Sequence, residues 1–386
     1  MNLSPLEDEL RCHHCASAGL RVATGYAQAQ RVTSDCKPWP AGGVLAMCQA
    51  CSLVQTVASR QWQAECEQIY AGYTIYHQSC GIEQTVFDNA SGAGQARSEA
   101  ITKALQAHFP LPPRGRWLDI GCGNGAMLQA CSRALPGWDL CGSEVNDKYR
   151  ETVESIPGVE RLFTCPVANI PGSFDVISLV HVIEHIPAPQ SFVRPLAAKL
   201  KPNGLLLLEV PDCLQNFFML MVADHCSHFS ASMLAHIVGG AGYEVLQAAD
   251  AWVPKEITVV ARRPAELRAA AVDPPPVHES ERVFRGWETL QQILAQVEPL
   301  TRADQFGIFG TSIAATWLDA QTGSAAKFFV DEDPHRIGKQ HLGRLILSPA
   351  EIPEGASIYL ALPRVIAGRV AERLQAAKPT VHFFTP

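Results

Sequence analysis

Residues 117–125 read Trp117-Leu-Asp119-Ile-Gly121-Cys-Gly123-Asn-Gly125, an apolar strand-like run that enters a glycine turn with an acid at its lip. Glycine carries no Cβ, so Gly121, Gly123 and Gly125 let the backbone turn sharply and approach a ligand closely. Ala126-Met127-Leu128 then opens a helix. A second acid, Glu144, ends the next strand-like run, Trp138–Ser143, where a ribose-binding carboxylate belongs. Together these features predict a nucleoside cofactor at a strand–turn–helix corner. A tight turn without a ligand would not need the two acids. An NAD or flavin site is the second reading, but a dinucleotide wants its pyrophosphate on the helix N-terminus behind a G-x-G-x-x-G spacing, which this turn lacks.

Outward from that corner, strand and helix patterns alternate: Trp117–Ile120, Trp138–Gly142, Phe174–Val180, Gly204–Val210, the helix Ala231–Val238, then Glu244–Leu246 and Ile257–Ala261. Alternation of this kind predicts a mostly parallel, doubly wound α/β sheet, with its ligand at the C-terminal strand ends where Gly121–Gly125, Glu144 and the loop after Val180 converge. Helices are expected over Trp62–Ala71 and Ser91–His108 ahead of the sheet. The stiff Asp273-Pro-Pro-Pro276 segment marks a boundary. Beyond it a helix (Val283–Val297) precedes a second strand–turn–helix series that contains Gly307-x-x-Gly310 and Asp331, half of a dinucleotide pattern. The expected organisation is a module over 1–75, a sheet domain over 76–265 and a C-terminal α/β domain over 277–386.

The chain has 386 residues, 47% hydrophobic and 18% charged, enough for two or three domains with a sizeable core. A net charge of −7 offers no broad cationic face to a phosphate backbone, so nucleic acid is not an expected partner. No apolar run approaches bilayer-spanning length, and the first ten residues lack a basic stretch followed by an apolar one. Neither membrane nor export is expected, and the chain reads as cytoplasmic. In that compartment its 13 cysteines should be reduced thiols, metal ligands or catalytic groups. Cys12-x-x-Cys15 and Cys48-x-x-Cys51 form two knuckles able to give four thiolates to one structural Zn2+, with His13, His14 and Cys36 near enough to substitute.

His181-Val-Ile-Glu184-His185 spells H-x-x-E-H, the inverted zinc-protease signature when carried on a helix. Here it directly follows a strand, and Pro187 and Pro189 end any helix at once, so the spacing does not predict a catalytic metal. His181, first beyond the strand, is expected at the cofactor cleft. Asp224-His225-Cys-Ser-His228-Phe-Ser230 forms a second constellation ahead of a helix. His225, with an ordinary pKa of about 6.5, suits a general base, and Asp224 beside it is expected to favour its charged form. A structural role fits His228.

The glycine turn and its acids resemble motif I of the class I S-adenosylmethionine (SAM) methyltransferases, whose fourth strand is followed by sequences similar to His-Val-Ile-Glu-His-Ile. Over nearly its whole length the chain resembles the nucleotide-sugar C-methyltransferases, which act on 4-keto-deoxysugars. The resemblance rests on the paired knuckles, the glycine turn, His181–His185, the Asp224-His225 pair and the run Val330-Asp-Glu-Asp-Pro-His-Arg-Ile-Gly-Lys339. It implies a class I SAM methyltransferase fold with an N-terminal zinc module and a C-terminal Rossmann-like domain. By the same resemblance SAM is held by Asp119, the three glycines, Glu144 and Val180. His225 would remove the proton from sugar carbon 3, with Tyr76 and His181 hydrogen bonding to the enolate.

The chain departs from that family at Asp224, commonly glutamate, and at Val222, near which a tyrosine is usual. Two loops also depart: Pro254-Lys255-Glu256-Ile257 lacks paired glycines, and Gly310-Thr-Ser-Ile-Ala-Ala lacks the usual lysine and asparagine. Two alternatives stand beside it: a SAM-dependent O- or N-methyltransferase of another small metabolite, and a non-catalytic zinc- and SAM-binding scaffold. A small-molecule acceptor and a monomer or small homo-oligomer are expected.

Overall fold

The computed structural model of the chain describes residues 10–74, 83, 85–87, 94–249, 252–265 and 275–386. Near the N-terminus, β1 (Leu20–Val22), β2 (Leu45–Cys48) and β3 (Val54–Thr56) build an antiparallel sheet. Its fourth strand comes from far along the chain: Ser227–His228 pairs antiparallel with Gln55 and Val54 of β3. Helix α1 (Arg60–Ala71) follows, with the Ser59 hydroxyl accepting the Trp62 amide proton as its cap.

Helix α2 (Arg97–His108) leads into the central sheet. The expected helix over Ser91–His108 therefore starts late, and Gly94–Ala96 instead pairs as a strand with Thr85–Phe87. Glycine is a poor helix former, and two lie in that stretch, at 92 and 94. The sheet comprises β4 (Arg116–Ile120), followed by helix α3 (Ala126–Ala134), then β5 (Asp139–Ser143), β6 (Val159–Phe163), β7 (Phe174–Val180) and β8 (Leu200–Pro211). Helix α4 (Ala231–Gly240) precedes β9 (Glu244–Ala249) and β10 (Glu256–Arg262). The strand order is β6-β5-β4-β7-β8-β10-β9, parallel except for β10. Order reverses between β4 and β7, so a crevice opens beyond their C-terminal ends. Central strands of a covered parallel sheet are apolar on both faces, and in β7 Phe174, Val176, Ile177 and Leu179 are all fully buried.

The C-terminal unit begins with α5 (Val277–Val297), one and a half turns longer at its start than the apolar periodicity indicates. Its sheet contains β11 (Phe306–Phe309), which leads into α6 (Ile313–Gln321), then β12 (Phe328–Val330), β13 (Gln340–His341), β14 (Arg344–Leu347) and β15 (Ser357–Leu360). Helix α7 (Arg364–Ala377) and β16 (His382–Phe384) complete it, in the order β13-β14-β12-β11-β15-β16. This sheet is separate, but its core is not. One apolar cluster joins Tyr26, Leu45 and Met47 of the N-terminal module, Phe218 and Leu220 beyond β8, and Trp287, Leu290, Phe306 and Trp317 of the C-terminal unit. The Tyr26 hydroxyl donates to the Leu220 carbonyl (2.6 Å) inside it. The N-terminal and C-terminal sheets thus share one apolar cluster with the segment after β8, while the strands of the central sheet pack in two other clusters.

Candidate active site

The glycine turn is wired to the neighbouring strand. The amides of Gly121 and Cys122 donate to the Ser143 carbonyl at 2.8 and 3.2 Å. All three glycines have positive φ, and a Cβ on Gly121 would lie 2.4 Å from Val182 Cγ2. Glu144 accepts from the Gly123 amide (3.0 Å) and from the Val145 amide (2.9 Å), so this carboxylate spans from the end of β5 back to the turn. Asp119 is buried and accepts from the Ser178 hydroxyl (2.6 Å), which itself accepts from Trp117 Nε1 (2.7 Å). Burial, with help from Glu144 and Glu83, pushes the Asp119 carboxyl up to about 7 against the opposing Ser178 bond.

Beyond β7, His181 has φ +54 and Ile183–His185 is a single 3-10 turn, so the H-x-x-E-H motif is not on an α-helix. His181 enters a charged network instead. Its Nδ1 lies 3.2 Å from Glu184, its Nε2 lies 3.4 Å from Glu256, and Arg97 Nη1 approaches the same Nε2 at 2.5 Å. Burial favours a neutral ring, and the arginine pulls the same way. The two carboxylates outweigh both and raise His181 to about 9.

His225 is buried, and its ring meets that of His185 edge-on at 4.6 Å. Burial, then the imidazoles of His185, His228 and His181, hold its pKa well below the ordinary value. That direction opposes the one expected from Asp224, and the geometry explains why. The Asp224 carboxylate accepts from the Ser34 amide (2.9 Å) and hydroxyl (2.5 Å) and lies 3.4 Å from Nδ1 of His185, not of His225. His185 Nδ1 also lies 2.9 Å from the Asp224 carbonyl and 3.1 Å from the Tyr70 hydroxyl. The whole loop is held from outside the central domain: Ala223 N donates to the Val32 carbonyl (2.7 Å), and Trp62 Nε1 to the Ala223 carbonyl (2.9 Å).

The four knuckle cysteines converge. Cys12 and Cys51 sulfurs are 3.6 Å apart, as are those of Cys15 and Cys48, and all four lie within 4.8 Å of one another. Zinc–thiolate bonds of about 2.3 Å in a tetrahedron separate sulfurs by roughly 3.8 Å, so the donor set fits Zn2+. His13 instead approaches the Ser227 hydroxyl (2.9 Å), and Cys36 lines the cleft. Glu184, His185 and His225 form a second group of donors within 4.8 Å, with Glu184 also facing His181.

One cleft of about 1430 Å3 runs from the glycine turn to the histidines. Asp119, Gly121, Gly123, Glu144 and Val180 line it around the glycine turn, together with His181, His185 and His225. The C-terminal unit contributes Gly310, Thr311, Asp331 and Arg336. Gly125 caps α3 beside the turn. Tyr76 lies outside the described residues. The sequence assigns no role to Arg97, which carries no motif, to Lys255 and Glu256, noted only for the glycines they replace, or to Ser34, which is 190 residues from its partner. His185 was visible inside H-x-x-E-H.

Residues 93–248 match the methyltransferase domain family. The ubiquinone biosynthesis O-methyltransferase of Xanthomonas campestris pv. campestris (strain B100) is 32% identical over 120 residues, 28% of this chain and 48% of that protein. The protein of the same name in Burkholderia thailandensis is 25% identical over 163 residues, 37% of this chain and 70% of that one. The chain thus spans about half the length of the first of these relatives. Human N-acetylserotonin methyltransferase in complex with SAM superposes with a TM-score of 0.37 at 16% identity, covering 44% of this chain and 52% of that one. The central part of the chain is a methyltransferase domain, and its sheet is the Rossmann-like doubly wound sheet of class I. Among the described residues no helix is long and apolar enough to cross a membrane.

Proposed function

We propose that the chain is a SAM-dependent C-methyltransferase acting on a nucleotide-linked 4-keto-deoxysugar, with one structural Zn2+ on Cys12, Cys15, Cys48 and Cys51. The observation that carries this reading is His225: a buried imidazole, held unprotonated, in the same cleft as Asp119 and Glu144. An unprotonated ring has a lone pair for a proton. His225 takes the proton from sugar carbon 3, and the C–H electron pair moves into the enolate of the adjacent ketone. His181, charged, and Tyr76 hydrogen bond to that developing oxyanion. Bound SAM supplies the electrophilic methyl, so that a carbon–carbon bond forms as the carbon–sulfur bond breaks. Asp119, Gly121, Gly123, Gly125, Glu144 and Val180 hold the cofactor, and Asp224 fixes the loop rather than charging His225.

The test is incubation with SAM and a panel of 4-keto nucleotide sugars in heavy water. The expected result is one new C-methyl group, with deuterium entering carbon 3 in the absence of SAM. Exchange that survives His225→Ala would remove the assigned base. A second reading, O-methylation of a small hydroxylated metabolite, draws on the names of the relatives. It predicts an O-methyl product and no exchange at carbon.

A further inference from the structure

Lys255 has φ +68, a left-handed conformation that side chains other than glycine adopt only where surroundings enforce it. Its carbonyl accepts the Asp212 amide proton at 2.8 Å, which ties it to the end of β8. The half-buried side chain lines the common cleft. Among the described residues its ammonium has no hydrogen-bond or ion-pair partner, although burial and the charges of Glu256 and Arg336 act on it. The neighbouring buried cations are matched. Arg97 lies with Glu83 and Glu256, and Arg336 with Asp331 and Asp333. An unmatched ammonium in a partly desolvated position calls for an anion from the ligand.

Position selects the anion. Glu256, the next residue, joins Lys255 to the His181 network. The same cleft is lined by Arg336 and the Gly310–Thr311 turn of the C-terminal unit. An acceptor that spans from His181 into the C-terminal unit shares this cleft with Lys255, and the group connecting its two ends is where an anion can meet the ammonium. We propose that Lys255 is a specificity-determining residue whose ammonium binds a phosphate oxygen of the diphosphate that joins nucleoside and sugar. This rests on the nucleotide-sugar reading above and adds to it the residue that recognises the linker.

The experiment uses the full chain loaded with S-adenosylhomocysteine and measures binding of thymidine 5′-diphosphate and of inorganic pyrophosphate by calorimetry. Lys255→Met is expected to weaken both about tenfold to a hundredfold, the range for a lost charge-assisted hydrogen bond, and Lys255→Arg to recover part of the loss. In turnover the loss falls on KM rather than kcat, and SAM affinity stays at its wild-type value. Lys255→Gly relieves the positive φ, so it is expected to raise the melting temperature while binding diphosphate as poorly as Lys255→Met.

Unchanged diphosphate binding by Lys255→Met overturns the proposal, as does a wild-type chain that binds neither probe. A kcat loss with unchanged KM also overturns it, because the lysine would then act on the reacting atoms. Lys255-dependent diphosphate binding in a chain that methylates no keto sugar leaves this inference standing and removes the function reading. Methylation of keto sugars with KM unmoved by Lys255→Met does the reverse.

Discussion

Ser34 and Asp224 lie 190 residues apart, yet the Ser34 amide and hydroxyl both donate to the Asp224 carboxylate, at 2.9 and 2.5 Å. A residue of the N-terminal module therefore satisfies the fully buried acid next to His225. Ser34→Ala removes one of these bonds and leaves a buried carboxylate less satisfied, which costs about 1–3 kcal/mol. The expected outcome is a lowered melting temperature and slower substrate exchange, with SAM affinity unchanged. Calorimetry and exchange measured on the same preparation check it. A variant that loses SAM binding to the same degree would mean that the loop serves the cofactor.

Zinc should act on the site through the same route. Ser227–His228 is the fourth strand of the sheet whose β2 ends at Cys48, so metal loss loosens the edge on which the His225 loop rests. Metal analysis is expected to give close to one zinc per chain. Cys48→Ser should lose it and, with it, exchange activity ahead of SAM binding. A stoichiometry near two that falls to one in His185→Ala would instead place a metal on Glu184, His185 and His225.

Acid should destabilise the fold through its buried histidines. Burial first, then neighbouring imidazoles, hold His225 well below its ordinary pKa and His228 down at about 3. In the unfolded chain each titrates near 6.5. The folded values are the lower ones, so below about pH 6.5 the unfolded chain binds protons that the native rings refuse. Their contribution is fully present above about pH 6.5 and is lost as pH falls toward 3, at up to roughly 1.4 kcal/mol per pH unit for each ring. Thermal melts at pH 8, 6.5 and 5 check this, and His225→Asn should flatten the slope between the last two. An equal slope in the variant would mean that His225 is not the titrating group.

Local patterns were legible in the sequence where residues adjacent in the chain do the work. The glycine turn, Asp119, Glu144 and the two knuckles each report a geometry set within a few residues, and the strand alternation gave the doubly wound sheet. What the chain could not disclose are partners chosen by tertiary packing. Asp224 sits beside His225 in sequence but turns to Ser34 and His185. The proline-marked boundary likewise hides a core shared between Tyr26 and Trp287, whose rings meet edge-on at 5.5 Å. Arg97 and Glu256, 159 positions apart by number, surround His181 only because α2 and β10 meet at the same end of the sheet.

Asp119 provides the sharpest test of the cofactor end. Burial raises its carboxyl to about 7 in the free protein, well above the ordinary aspartate range near 4. SAM carries positive charge, which favours the ionised acid, so binding should lower this pKa and expel a proton wherever the free acid is still protonated. Affinity is therefore expected to rise with pH up to about 7 and to level off above it. At pH 6 it should be weaker by up to about tenfold, the limit for one linked proton over one unit. Titrations in buffers of different ionisation enthalpy should register proton release near one at pH 6 and near zero at pH 8. Asp119→Asn should bind more weakly at pH 8 and show no pH dependence over this range. Proton release that persists in Asp119→Asn would assign the titration to another group, and pH-independent binding by the wild type would separate Asp119 from the cofactor altogether.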